Sequence, residues 1–250
     1  MSTRYDCRDP HARAAGIEAA VTATRAGELI VLPTDTVYGI GADAFIPASV
    51  TTMLAAKGRG RSMPPPVLVG TSRAAAALVD DLGAFGQALI DEFWPGALTL
   101  VFRASPTLAW DLGDTKGTVA LRMPLHPVAL EVLRQTGPMA VSSANRSGQP
   151  AATTADEAES QLGEAVSVYL DGGPCIDNVP STILDLTGTV PTLLRTGAVP
   201  VERLRTIVSV VDDNDFFRVG TGSEADFKQA APHPLERRTD APSEERPSAD

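Results

Sequence analysis

The chain alternates short apolar runs with alanine-rich helical stretches, yet several of its strand-length runs follow one another with no helix between them. A purely parallel sheet needs a crossover between successive strands, so this order requires strands of both directions in one sheet. Strand patterns fall at residues 29–33, 67–69, 98–102, 119–121, 139–141, 166–170, 182–186 and 193–194. Helical spacing falls at 11–26, 48–56, 72–79 (capped by Ser72), 84–93, 126–134 and 201–210, and in a stretch capped by Thr153 or Thr154 that runs to about Leu162. The predicted fold is therefore α/β, an open twisted mixed sheet with helices packed on it.

A chain of 250 residues, 43% of them hydrophobic, is long enough to bury a sizeable core. No run approaches the roughly 20 apolar residues that cross a bilayer, and residues 1–13 carry Arg4, Asp6, Arg8 and Asp9 where a secretory leader would be apolar. Cys7 and Cys175 stand alone, and His11, His126 and His233 are scattered, so the pattern reads as free thiols in a reducing, cytoplasmic setting with no protein metal site. Net charge is −10. Residues 212–250 hold ten acids against five bases among prolines and serines, so they carry −5 and leave −5 on the body. The expected organisation is a catalytic domain over residues 1–211 followed by an acidic Pro/Ser-rich tail over 212–250, too polar to offset its own ordering entropy. A mildly acidic body offers weak support for direct binding to a nucleic acid.

Four polar segments interrupt strand or helix ends, where α/β sheets place ligands. Pro33-Thr34-Asp35-Thr36-Val37-Tyr38-Gly39-Ile40-Gly41 offers hydroxyls, a carboxylate and glycines for close backbone approach, or is an ordinary turn. Lys57-Gly58-Arg59-Gly60-Arg61 suits a polyphosphate, or is a solvated basic turn; it lacks the order of a Walker A loop. Arg122 ends an apolar strand, where an anion or an internal carboxylate would satisfy its planar fork. Ser142-Ser143-Ala144-Asn145-Arg146-Ser147-Gly148 offers hydroxyls and an amide to phosphate or sugar oxygens, or is a capped turn. No Ser-His-Asp, Cys-His or paired-carboxylate spacing supports covalent catalysis.

Taken in order, these segments resemble the YrdC-like family of threonylcarbamoyl-AMP synthases. The resemblance runs through residues 33–41, Lys57 with Arg59, Trp94-Pro95-Gly96-Ala97-Leu98-Thr99, Arg122-Met123-Pro124, residues 143–148, Gly172-Gly173 with Ser181-Thr182, and Leu194-Arg195-Thr196-Gly197, covering about residues 11–210. It implies a single-domain member with a large concave cavity. The implied reaction joins L-threonine, bicarbonate or CO2 and ATP, as its Mg2+ complex, into threonylcarbamoyl-AMP and pyrophosphate. The product would pass to a tRNA threonylcarbamoyl transferase for N6-threonylcarbamoyladenosine formation.

By motif, Thr36, Arg122 and Ser181 match threonine-binding positions. Lys57, Arg59, Thr118, Ser143, Asn145 and Arg195 match ATP-binding ones, with Lys57 and Arg59 also the catalytic pair. Three departures stand out: residues 61–66 are about two residues longer than the common pattern, Pro65 and Gly70 replace an asparagine and a histidine, and Ser142 replaces a proline. Three other readings stay open on sequence alone: a nucleotide- or RNA-binding module, a carbamoyl-transfer domain of a larger enzyme, and a paralogue that keeps the fold without the activity.

Overall fold

The computed structural model describes residues 2–175 and 178–212. In chain order these are β1 (Thr3–Asp6), α1 (Pro10–Arg25), β2 (Ile30–Leu32), β3 (Gly39–Asp43), α2 (Pro47–Lys57), β4 (Val67–Leu68), α3 (Ser72–Ala76), α4 (Gly83–Phe93), β5 (Leu98–Arg103), β6 (Thr118–Arg122), α5 (Pro127–Thr136), β7 (Met139–Ser143), α6 (Ala155–Leu162), β8 (Val168–Asp171), β9 (Thr182–Asp185), β10 (Thr192–Arg195), α7 (Val201–Arg205) and β11 (Val211–Asp212). The expected tail lies, from residue 213 onward, outside the described residues. No described helix is long and apolar enough to cross a membrane.

All the strands join one sheet in the order β1-β8-β2-β3-β7-β4-β6-β5-β9-β10-β11. Parallel pairs (β1 with β8, β2 with β8, β4 with β6, β5 with β9, β10 with β11) are as many as antiparallel ones, as the missing crossovers require. Helices cover both faces. Leu29 and Val31 point into one apolar cluster with Val50, Met53 and Leu54 of α2 and Leu89 and Ile90 of α4. Ile30 and Leu32 point into the other, with Ile17, Ala20 and Val21 of α1 and Val128, Val132 and Leu133 of α5. Two-sided burial is why this strand reads as an unbroken apolar run.

The ends of helices follow local chemistry. The Asp9 side chain accepts from the Ala12 N–H at 2.8 Å, with Pro10 just inside α1. The cap of α3 is Thr71, one residue before the expected Ser72, because its hydroxyl accepts from the Ala74 N–H at 3.1 Å. Thr154 caps α6. Helix α7 stops at Arg205, short of the expected 210, because the chain turns to lay β11 beside β10.

Strands β1 and β3 also escape the sequence reading. β1 is an edge strand whose Arg4 and Asp6 break any apolar pattern, and such charges keep an edge from pairing with another chain. β3 lies inside a segment read either as a ligand-approach loop or as an ordinary glycine turn, not as a strand. A Cβ on Gly39 would meet Val141 Cγ1 at 2.6 Å, and one on Gly41 would meet Met139 Cε at 2.9 Å, so the glycines admit large side chains from β7.

Arg4 also locks three elements together. It pairs with Asp156 in the first turn of α6 and, at 2.7 Å, with Asp171 at the end of β8. Burial pushes the Asp171 carboxyl up, but Arg4 and the Gly173 N–H at 2.9 Å outweigh it and hold it below its ordinary value. A carboxyl held low in the fold contributes stability above its unfolded pKa and loses it as pH falls through the folded one. Arg4→Gln is expected to cost about 2 kcal/mol at pH 7, and the gap from the parent should close in acid, below about pH 4. Urea titrations at neutral and acid pH test this; an equal gap at both would sever the link.

Candidate functional site

Helix α2 ends at Gly58, whose φ of 66° is a left-handed turn that glycine takes without strain. The turn sets Lys57 and Arg59 against the end of β7. Lys57 is only 1% exposed. Its Nζ donates to Ser143 O at 2.5 Å, Asn145 O at 2.7 Å and Asn145 Oδ1 at 3.3 Å. These three acceptors match the three protons of an ammonium, so Lys57 pins the 143–145 turn. Asn145 Nδ2 completes the turn by donating to Arg146 O and Gln149 O. Arg59 Nη1 donates to Ser142 Oγ at 3.0 Å.

Arg122 leaves the end of β6, four strand steps from β2. Strands rotate by roughly 20–25° per step, so about a quarter-turn accumulates across that span. The loop after β2 meets the Arg122 guanidinium there. Nη1 donates to Thr36 Oγ1 at 3.0 Å, Nη2 to Asp35 Oδ1 at 2.6 Å and Nε to Gly96 O at 3.0 Å. Asp35 Oδ1 also accepts from the Leu125 N–H at 2.9 Å. Burial lowers the Arg122 pKa, and Asp35 opposes that shift.

Arg195, at the end of β10, wraps the residue that precedes β9. Its Nε and Nη2 donate to Ser181 O at 3.0 and 2.7 Å, and Nη2 donates to Ser181 Oγ at 3.0 Å. Ser181 Oγ lies 2.8 Å from Thr99 Oγ1. Loss of solvent, then the nearby guanidiniums of Arg122 and Arg59, push the Arg195 pKa down to about 10. Among the described residues no carboxylate lies within ion-pair distance of Arg195. Two guanidiniums thus lie within electrostatic reach of Arg195, whose own hydrogen bonds, among the described residues, go to neutral oxygens.

The structure therefore links Thr36 to Arg122, Ser181 to Arg195, and Lys57 to Ser143 and Asn145, and it brings Arg59 and Arg122 into range of Arg195. Thr118 stands apart. It starts β6, four residues or about 13 Å of strand from Arg122, and its hydroxyl donates to Thr115 O.

Four residues in this cluster were not singled out individually by the sequence reading as binding groups. Asp35, Gly96 and Thr99 sit within motifs, but a backbone carbonyl or an orienting carboxylate leaves no residue-type signal of its own. Ser142 appeared within a polar segment and as a departure, not as a group with a role of its own. Gly197 has a plain steric role: a Cβ there would lie 2.4 Å from Pro180 O and 2.5 Å from both Ser181 C and Thr182 N. The other departures are packed as well. Pro65 is buried. A Cβ on Gly70 would meet the backbone of α5 at Arg134 N, 2.9 Å away, and Leu133 C, 3.0 Å away, so α5 occupies the space a side chain would need.

Residues 22–197 match the Sua5–YciO–YrdC family model, described as Telomere recombination. A protein of Mycobacterium tuberculosis H37Rv, named provisionally as a threonylcarbamoyl-AMP synthase, is 55% identical over 210 residues, covering 84% of this chain and 97% of that one. The threonylcarbamoyl-AMP synthase of Bacillus subtilis is 36% identical over 198 residues, covering 78% of this chain and 57% of its own length. The solved structure of Pyrococcus abyssi Sua5 complexed with L-threonine superposes with a TM-score of 0.73 at 34% identity, covering 78% of this chain and 58% of that one. With its mixed sheet, its ordered motifs and these likenesses, the chain belongs to the Sua5–YciO–YrdC family.

Proposed function

We propose that the chain is an L-threonylcarbamoyladenylate synthase, which condenses L-threonine, bicarbonate or CO2 and ATP into threonylcarbamoyl-AMP and pyrophosphate. The observation that carries this reading is Arg195: a desolvated guanidinium beside two others, with no carboxylate partner among the described residues. A purely structural arginine is normally neutralised by a carboxylate; this one is preorganised for an anion that arrives from solution. The names of the relatives support a nucleotide phosphate as that anion.

The chemistry asks little of the protein beyond placement and charge. Threonine's neutral amine adds to CO2 with loss of a proton, and a carbamate oxygen then attacks the α-phosphorus of ATP, breaking the bond to the β-phosphate and releasing pyrophosphate. The reactants supply their own nucleophile. Catalysis then rests on positioning and on fixed positive charge where negative charge develops.

Arg122, with Thr36 and Ser181, holds the threonine carboxylate and orients its amine. Arg59 and Arg195 meet the phosphates. Ser143 and Asn145, on the turn that Lys57 fixes, offer polar groups to the nucleotide, while the buried Lys57 ammonium places positive charge behind that turn. Thr118 contacts the nucleotide further along β6. The concave cavity that the resemblance implies would hold the reactants against these groups.

ATP enters as its Mg2+ complex, the ion neutralising part of the triphosphate charge. The described residues contain no group of three or more His, Cys, Asp or Glu that could hold a metal. Mg2+ favours phosphate oxygens and water as ligands, so the triphosphate itself would hold the ion. The product goes to a tRNA threonylcarbamoyl transferase, as the first step of N6-threonylcarbamoyladenosine formation. The cytoplasm is the setting we propose, in keeping with Cys7 and Cys175, free thiols whose pKa burial pushes up to about 11.

The deciding measurement is pyrophosphate release by the purified protein with threonine, bicarbonate, ATP and Mg2+. Release is expected only when all four are present. A rate unchanged by omitting threonine would refute the synthase reading.

A further inference from the structure

Ser142 lies in β7, opposite Ile40 of β3, and is 7% exposed. Its hydroxyl accepts a hydrogen bond from Arg59 Nη1 at 3.0 Å. Arg59 follows the left-handed turn at Gly58, past the end of the helix. The Arg59 guanidinium lies close enough to Arg195 to disfavour that residue's charge, so the two repel. Repulsion works against the two cations staying together until an anion arrives. A buried hydroxyl on a central strand helps to hold Arg59 in place, because strand and hydroxyl are fixed by the sheet.

We propose that Ser142 is a positioning residue: it holds Arg59 beside Arg195, so that the two guanidiniums form one preorganised receptor for the nucleotide's phosphates. The assignment of this receptor to ATP rests on the synthase reading; the Ser142–Arg59 coupling does not. Arg122 and Arg59 are then fixed by different partners. Asp35 and Gly96 set Arg122 for threonine. Ser142 sets Arg59 for the nucleotide, and Ser181 holds Arg195 between the two. A defect at Ser142 should appear in nucleotide binding alone.

The test uses Ser142→Ala, Ser142→Thr, Arg59→Ala and the Ser142→Ala/Arg59→Ala double variant in the full chain. Inorganic pyrophosphate, titrated calorimetrically, probes the phosphate receptor without requiring turnover. Ser142→Ala is expected to weaken pyrophosphate binding and raise the KM for ATP about five- to tenfold, with the KM for threonine within about twofold of the parent. Ser142→Thr keeps a hydroxyl on a β-favouring side chain and should restore pyrophosphate binding to within about twofold. In the Arg59→Ala background, Ser142→Ala should have no further effect, since the hydroxyl then has no guanidinium to hold. The proposal is overturned by pyrophosphate affinity unchanged in Ser142→Ala, by equal losses for ATP and threonine, or by a full Ser142→Ala effect that persists without Arg59. If the parent binds pyrophosphate yet releases none from ATP with threonine, the synthase reading fails, while the coupling between Ser142 and Arg59 is still decided by the titrations.

Discussion

Arg122→Ala is expected to cut threonine-dependent pyrophosphate release at least tenfold, equivalent to ~1.4 kcal/mol of transition-state stabilisation, and to destabilise the fold by about 3 kcal/mol. Both effects follow from the way this guanidinium is held. It is 6% exposed and donates to Asp35, Thr36 and Gly96 O, so removing it leaves a partly buried carboxylate without its countercharge and a carbonyl without this donor. The double variant Arg122→Ala/Asp35→Asn separates the two effects. It should recover much of the lost stability, since no unpaired charge remains, without recovering turnover. Denaturant titration and the pyrophosphate assay measure them in parallel. Turnover at the parent rate in Arg122→Ala would remove the residue from the site.

Gly197→Ala is the other large effect. The added methyl would press on the backbone of residues 180–182, which cannot rotate away as a side chain can. The crowding falls on the Ser181–Thr182 peptide itself, just where Ser181 is held by Arg195 and Thr99. Overpacking of this kind costs about 1–3 kcal/mol. A displacement of about 1 Å at a positioning residue can cost about a hundredfold in rate. The substitution should therefore reduce turnover about a hundredfold and raise the KM for threonine, while the protein stays folded by circular dichroism. A parent-like rate would show that the close approach at Gly197 is not what sets Ser181.

The sequence read well where chemistry is local. Apolar runs with no helix between them called for strands in both directions, and the sheet has them. Helix starts at Asp9 and Thr154 were near expectation because a cap needs only its own side chain and the next turn of backbone. The reading failed where a neighbour distant in sequence decides. Glycines 39 and 41 read as a turn or a ligand-approach loop, but they make a strand because Val141 and Met139 fill the space over them. Arg4 and Asp6 looked like a charged terminus, but they make a strand because β8 offers a parallel partner.

The candidate site divides along the same line. Residue types at Thr36, Lys57, Arg59, Arg122, Ser143, Asn145, Ser181 and Arg195 announced an anion-handling surface, and their order carried the family. Sequence alone thus determined the kinds of group available and the alternation that builds a mixed sheet, because propensity, capping and polarity are properties of short stretches. Tertiary structure alone decided which groups meet: that Arg122 takes Asp35 while Arg195 takes only Ser181 among the described residues, that Lys57 turns inward to hold a turn, and that Ser142 reaches Arg59. Those pairings depend on sheet twist and strand order, which bring together residues as far apart as 87 positions, a distance no local pattern spans.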